Sequence, residues 1–285
     1  MTKHIYILGY PVKDTAGGAV LQAGCDHLDL NIRCKEWELE DPTQLQKVVN
    51  YFRREDVLGA NVTMPYKESI IPLLDALDEE TQYIKSVNTV FKRGGKLIGY
   101  NADAAGFLQA LLHEGSFEPR GKRAVILGAG GTARSSGVAL AKADVRSITI
   151  VNRTLSRATD VASILKPLCP DVQVIGYEDD RLKETIKNSE LLVNCTPFGM
   201  KLGPLEGECR IGELIPKGQM VYDVVYKPPE TPFLKMAREA GAEIINGLPM
   251  VVRGEIVSFK LFTNHESPVE VMFDAATKYI EKYHW

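Results

Sequence analysis

No stretch of this chain is apolar for the roughly 20 residues that a membrane-spanning helix needs. The N-terminus, MTKHIYILGYPV, runs into a strand-like segment without a cleavable apolar leader. The expectation is a cytoplasmic protein with no membrane partner. An excess of charge is also missing: 34 Lys and Arg against 37 Asp and Glu leave a net charge of −3. Nothing in that balance attracts nucleic-acid phosphates, so nucleic acid is not an expected partner. Cysteines are few and unpaired in spacing. Cys25, Cys34, Cys169, Cys195 and Cys209 are odd in number and form no CxxC or Cys/His ligand pattern, which predicts reduced thiols and no metal site. The histidines, His4, His27, His113, His265 and His284, are equally scattered, and no Ser-His-Asp order can be read from them.

What the chain does have is the make-up of an ordinary globular protein, 45% hydrophobic and 25% charged over 285 residues, a length that suggests two domains. From residue 3 to about 100, short apolar runs (IYILG, IRCKEWEL, LGANVTM, SVNTVF) alternate with helical patterns. In PTQLQKVVNYFRRE, Leu45, Val48, Val49 and Phe52 fall on one helical face. A hinge-like segment, YNADAAGFLQALLHEG, then leads into RAVILGAGGTARSSGVALAKADVRSITIVNRT, which reads as strand, glycine turn, helix, strand. Such a βαβ unit needs a right-handed crossover. Further strand signals at VQVIGY, LLVNCT, MVYDVVY and AEIIN alternate with helices, as in a doubly wound sheet. Two closing helices, PMVVRGEIVSFKLFTN and PVEVMFDAATKYIEKY, follow, with Pro268 suited to the start of the second. The predicted fold class is α/β with two domains. Residues 1–103 and 247–285 form an N-terminal α/β substrate domain completed by the C-terminal helices, and 104–246 form a Rossmann-type domain.

The glycine turn carries the first chemical signal. Gly128, Gly130 and Ala133 fill the G-x-G-x-x-G/A positions, with Ala129, Gly131 and Thr132 between them. The first glycine permits a tight turn, the second lets backbone approach a pyrophosphate, and the small third residue packs helix on strand. The helix N-terminus turns free N–H groups and a positive dipole end toward the phosphates. An NAD-selective site usually offers Asp or Glu at the end of the second strand; this chain has Asn152, Arg153 and Thr154, with Arg157 one step on. Arg153 can pair with a 2′-phosphate, so the predicted cofactor is NADP. The competing reading makes Arg153 and Arg157 solvated surface charges.

A nicotinamide enzyme needs a group to exchange the hydroxyl proton as hydride moves, and the polar clusters NVTMPYK and VNTV…GYNADAAGF supply candidates. Here the chain resembles the shikimate/quinate dehydrogenase family along nearly its whole length. The motif GxNVTxPxK appears as Gly59, Asn61, Val62, Thr63, Pro65 and Lys67, and VNT as Val87, Asn88 and Thr89. GYNADAAGF contains Asn101, Asp103, Gly106 and Phe107, and VNCTPFGM and YDVVYKPPETPFL match two further segments. The resemblance implies NADP-dependent interconversion of 3-dehydroshikimate, or a related cyclic keto acid, and the hydroxy acid. It implies Lys67 and Asp103 as the catalytic pair, and Thr15, Asn61, Thr63, Asn88 and Tyr226 as substrate-binding. Thr196 and Gly247 join the cofactor set. The expected partner is thus a small cyclic hydroxy or keto acid, for a monomer or homodimer.

The chain departs from the family where substrate is recognised. The family's G-x-P-x-x-H-S-x-S-P reads GYPVKDTAGG here: Thr15 stands for the first carboxylate-holding serine and Gly17 for the second. A glutamine of the C-terminal motif becomes Gly254, and Ala102 and Ala104 replace a threonine and a glycine. Lys13 can substitute as a carboxylate partner or be a solvated lysine. Glycine for serine and glutamine predicts added room, hence another ring: quinate-like, amino-substituted or otherwise different. A non-catalytic NADP-binding regulator is the third reading.

Overall fold

The apolar runs become strands and the 3.6-residue patterns become helices, in an alternation that builds two open sheets. The computed structural model describes residues 1–12, 15–199 and 211–282; Lys13, Asp14, Cys209 and His284 lie outside them. The chain divides into two compact units, Met1–Gly106 with the chain from Val251 onward, and Phe107–Met250.

In the first unit, β1 (Lys3–Gly9), α1 (Ala16–His27), β2 (Ile32–Glu38), α2 (Leu45–Tyr51) and β3 (Val57–Val62) come first. They are followed by β4 (Ala76–Leu77), α3 (Glu79–Ile84), β5 (Thr89–Arg93) and β6 (Lys96–Tyr100). The sheet order is β2-β1-β3-β5-β6-β4. β1 runs parallel to β2 and β3, whereas β5 is antiparallel to both β3 and β6. The hairpin between β5 and β6 turns at Gly94 and Gly95, both at positive φ (57° and 76°), as a two-residue hairpin turn favours. On one face Tyr6, Leu8, Val49, Phe52, Val62, Tyr66 and Val90 form a continuous buried cluster. Burying each such side chain contributes about 1.5–3 kcal/mol.

The division between the two units falls inside the hinge-like segment YNADAAGFLQALLHEG, after Gly106. The segment contains the continuous helix α4 (Ala102–His113), because Asn101 caps its start: Asn101 Oδ1 accepts from Ala104 N–H at 3.0 Å. In the second unit, β7 (Arg123–Leu127), α5 (Gly131–Lys142), β8 (Ser147–Val151), α6 (Leu155–Leu165) and β9 (Val172–Ile175) precede α7 (Leu182–Lys187), β10 (Leu191–Asn194), β11 (Met220–Asp223), α8 (Pro232–Glu239) and β12 (Glu243–Ile245). Their order, β12-β11-β10-β7-β8-β9, is parallel throughout. The order reverses between β7 and β10, the place where open α/β sheets receive ligands. The closing helices are α9 (Leu248–Thr263) and α10 (Val269–Glu281). Pro268 stands at the N-cap of α10, one residue before its first turn. α10 packs on α1 in the first unit.

One glycine is dictated by packing alone. A Cβ on Gly59 of β3 would strike the Val90 carbonyl and sit 2.8 Å from the Phe262 ring. Gly59→Ala is expected to lower stability by about 1–3 kcal/mol in urea denaturation, through overpacking. An unchanged midpoint would show that the sheet and the α9 ring yield freely.

Candidate active site

Lys67 lies five residues beyond β3, at a point the core fixes from both sides. Tyr66 before it and Ile70 after it are buried in the cluster described above, and Lys67 C=O accepts from Val87 N–H at 2.8 Å. Asp103 sits in the first turn of α4, where a carboxylate is favoured by the helix dipole. The two side chains form an ion pair, Lys67 Nζ donating to Asp103 Oδ2. They remain 17% and 15% exposed, so the pair is sheltered from solvent and still reachable.

Asn88 holds the arrangement together. Its Nδ2 donates to Asp103 Oδ1 at 2.8 Å, while its Oδ1 accepts from Ala102 N–H at 2.7 Å and from Thr89 Oγ1 at 3.0 Å. Thr89 in turn shares a 2.8 Å bond with Ser258 on α9. Both Asp103 oxygens are therefore occupied, one by a fixed amide and one by the ammonium, and Lys67 Nζ keeps further N–H bonds to offer.

Asn61 is buried at the end of β3, and its Nδ2 donates to Glu255 Oε2. Sequence reasoning missed Glu255. The signal was available, since Val252, Glu255 and Phe259 share a helical spacing and the two apolar members are fully buried, so the carboxyl lies on the inward stripe of α9. Burial pushes Glu255 up to about 8; the Asn61 bond opposes the shift, Asp103 adds to it and Lys67 opposes it. The Cys34 thiol on β2 also senses its charge.

Glu255 corrects the expectation of added room. A Cβ at Gly17 would collide with Glu255 Oε1 and lie 3.3 Å from its Cδ, so the space vacated by a side chain at position 17 is filled by a carboxyl from α9. Gly254 leaves only an ordinary 3.5 Å approach to the Ala102 carbonyl. Thr15 is the N-cap of α1 but makes no capping bond, and its Oγ1 is buried without a partner, as is Asn61 Oδ1. Thr63 is half-buried, its methyl directed at Gly9. Thr15, Asn61, Thr63, Lys67, Asn88 and Asp103 all belong to the first unit.

The second unit carries the other candidates. Gly128 takes φ 105°, and a Cβ there would sit 3.1 Å from the Cys195 carbonyl and the Thr196 methyl, whereas one at Gly130 would meet only open space. Gly130 is the N-cap of α5, without a side-chain cap; Ala133 behind it is fully buried. Free N–H groups above an empty approach fit a pyrophosphate, and Ala129 through Thr132 would hold it, with Gly128, whose own N–H donates to Val151 C=O at 2.8 Å, making the turn. Thr196 is fixed by Asn194, whose Oδ1 accepts from Thr196 N–H at 3.0 Å and Oγ1 at 2.6 Å. Asn194 Nδ2 donates to Asp223 at 2.9 Å; burial lifts Asp223 to about 7 despite bonds from Thr231, Val225 and Asn194. Asn152 Nδ2 donates to the Thr154 carbonyl at 2.8 Å, and Arg153, Thr154 and Arg157 are exposed past β8 with no carboxylate among them. Gly247 lets backbone pass the Val224 carbonyl, and Tyr226 is half-buried with Lys227 Nζ 5.8 Å from its ring centre. Among the described residues no group of His, Cys, Asp and Glu could hold a metal ion, and no helix is long and apolar enough to cross a membrane.

The raised Glu255 makes stability depend on pH with a defined sign. Its folded value, about 8, exceeds the ordinary 4.5, so its contribution is complete below about 4.5 and is lost as pH rises toward 8. Relative to the wild type, Glu255→Gln is expected to gain stability between pH 5 and pH 9, measured as the difference in Tm. A difference that stays flat across that range would contradict the buried acid.

The comparisons with known proteins fall on this geometry. Residues 7–90 match the shikimate dehydrogenase substrate binding domain, and residues 112–199 match shikimate / quinate 5-dehydrogenase. A curated relative from Alkaliphilus metalliredigens, shikimate dehydrogenase (NADP(+)), is 38% identical over 94% of both chains. A solved shikimate dehydrogenase in complex with NADP+ superimposes with a TM-score of 0.89 at 33% identity, over 98% of this chain and 96% of that one. The ligand-free 5-ketofructose reductase of Gluconobacter sp. strain CHM43 gives 0.82 at 29% identity, over 98% and 99%. The chain belongs to the shikimate dehydrogenase family, as an NADP-dependent oxidoreductase acting on a secondary alcohol.

Proposed function

We propose that the Lys67–Asp103 pair interconverts a ring ketone and its secondary alcohol, with 3-dehydroshikimate and shikimate as the reference pair that the relatives' name supplies. The observation that carries this reading is the sheltered ion pair clamped by Asn88. NADPH supplies the hydride. In reduction, Lys67 Nζ donates a hydrogen bond to the carbonyl oxygen, stabilises the charge that develops there and gives up its proton. Asp103 holds the ammonium in place and Asn88 fixes Asp103, so no reorganisation is needed as the charge forms. In oxidation the same nitrogen receives the hydroxyl proton. Asn61 and Thr63 line the ring, with Thr15 at its far end. The first unit serves substrate and catalysis, the second the cofactor, with Tyr226 contributing to substrate. Arg153 meets the 2′-phosphate, flanked by Asn152, Thr154 and Arg157, and Thr196 and Gly247 complete the cofactor set. A cytoplasmic setting is part of the proposal, in keeping with Cys25, Cys34 and Cys169 being free thiols.

A second reading keeps the reaction and changes the ring, and Glu255 beside Gly17 favours it. The core of the proposal is tested at Lys67. Lys67→Ala is expected to lower kcat at least about a hundredfold, the contribution of a positioned proton donor, with the Kd for NADP unchanged. A variant within about threefold of the wild type would end the assignment.

A further inference from the structure

Asp223 is a fully buried acid that the chemistry at Lys67 does not use. It ends β11 and lies in register with Asn194 at the end of β10, next to the place where the sheet order reverses. Its two oxygens take three donors. Oδ1 accepts from Asn194 Nδ2 at 2.9 Å and from Val225 N–H at 3.1 Å, and Oδ2 accepts from Thr231 Oγ1 at 2.6 Å. Backbone amides fix the direction of these bonds. Thr196 N–H can only donate, so Asn194 must face it with Oδ1, which turns Asn194 Nδ2 toward Asp223. Leu234 N–H likewise donates to Thr231 Oγ1 at 3.2 Å, at the start of α8, and leaves the hydroxyl hydrogen for Asp223.

The chain of bonds leads to one loop. Asn194 Oδ1 also accepts from Thr196 Oγ1 at 2.6 Å, and Thr196 Oγ1 accepts from Phe198 N–H at 3.3 Å. The Thr196 methyl lies 3.1 Å from the place that a Cβ on Gly128 would take, so this loop borders the glycine turn. Without Asp223, the buried Asn194 amide would keep only the Phe198 carbonyl, at 3.5 Å, as an acceptor. It could then turn and release Thr196.

We propose that Asp223 is a positioning residue for the cofactor: through Asn194 it holds Thr196 and the loop after β10 in the form that receives NADP. The proposal rests on the cofactor role of Thr196 given above and adds the residue that sets it. The third bond to Asp223, from Thr231, serves the cap of α8 instead, so the two duties of one carboxyl can be separated by mutation.

The test measures steady-state kinetics, and NADP binding by calorimetry, on the full chain with NADPH and the ring ketone that it reduces fastest. Asp223→Ala is expected to raise KM for NADPH and Kd for NADP about tenfold, the effect of a lost buried hydrogen bond. Its kcat at saturating NADPH is expected to stay within about threefold of the wild type. A variant that is merely less folded has fewer active molecules, which lowers apparent kcat and leaves KM unchanged. Asp223→Asn is expected to bring KM back to within about threefold, because its Oδ1 still accepts from Asn194 and Val225 while the Thr231 hydroxyl turns to accept from the new amide. Thr231→Ala removes the α8 cap and is expected to lower Tm with KM for NADPH unmoved. Asn194→Ala cuts the same link one step later and is expected to repeat the Asp223→Ala result, which keeps the test decisive if Asp223→Ala fails to fold. Thr196→Ala is expected to raise KM for NADPH by itself. If it does so while Asp223→Ala and Asn194→Ala stay within about threefold of the wild type, the proposal falls alone. A KM raised as much by Thr231→Ala as by Asp223→Ala reduces Asp223 to a stabilising residue and also overturns it. An unmoved KM in Thr196→Ala ends the cofactor role of Thr196 and the proposal together.

Discussion

The arrangement of the catalytic unit depends on one amide. Asn88 links Asp103, the start of α4 and the β5 hydroxyl Thr89 through a single side chain, and through Thr89 it reaches Ser258 on α9. An ion pair alone would be a weak device, since two flexible charged groups gain little in a solvated setting. Occupying the second carboxylate oxygen with a rigid donor turns it into an oriented one, and it fixes where the ammonium can point.

The same physical logic, run in reverse, explains the opposite end of the site. At the Lys67 end every charge has a fixed partner. At the Gly17 end a carboxyl is buried with a hydrogen bond from Asn61, and burial, with Asp103 adding to it and Asn61 and Lys67 opposing it, raises its pKa to about 8.

Much of this was legible in the residues. The apolar runs and the glycine turn mark strands and the nucleotide loop because their periodicity and their Cβ-free positions answer local backbone demands; Gly128 at φ 105° is one such. The Lys67, Asn88 and Asp103 constellation could be collected only through the resemblance, since it joins the turn after β3, the segment before β5 and the start of α4. β6 was passed over because a charge and a glycine interrupt the apolar residues of KLIGY, and its strand state comes from pairing with β5 and β4. Gly17 was read as empty space for a related reason. A glycine in sequence says what is absent at its own position and nothing about what reaches over from 238 residues away, since residue 17 meets residue 255 only in the fold. Ala104, Ala105 and Gly106 after Asp103 suit a hinge and a tightly packed helix alike; they lie within α4, whose start Asn101 caps.

A kinetic double-mutant cycle on Lys67 and Asp103 tests the central claim most directly, by measuring kcat/KM for the wild type, Lys67→Ala, Asp103→Ala and the double variant with NADPH and the better ketone substrate. If the two groups act as one proton-delivering unit, the double variant is no slower than the worse single variant, within about threefold, because the second loss removes nothing further. Losses that multiply would show two independent contributions and contradict the account.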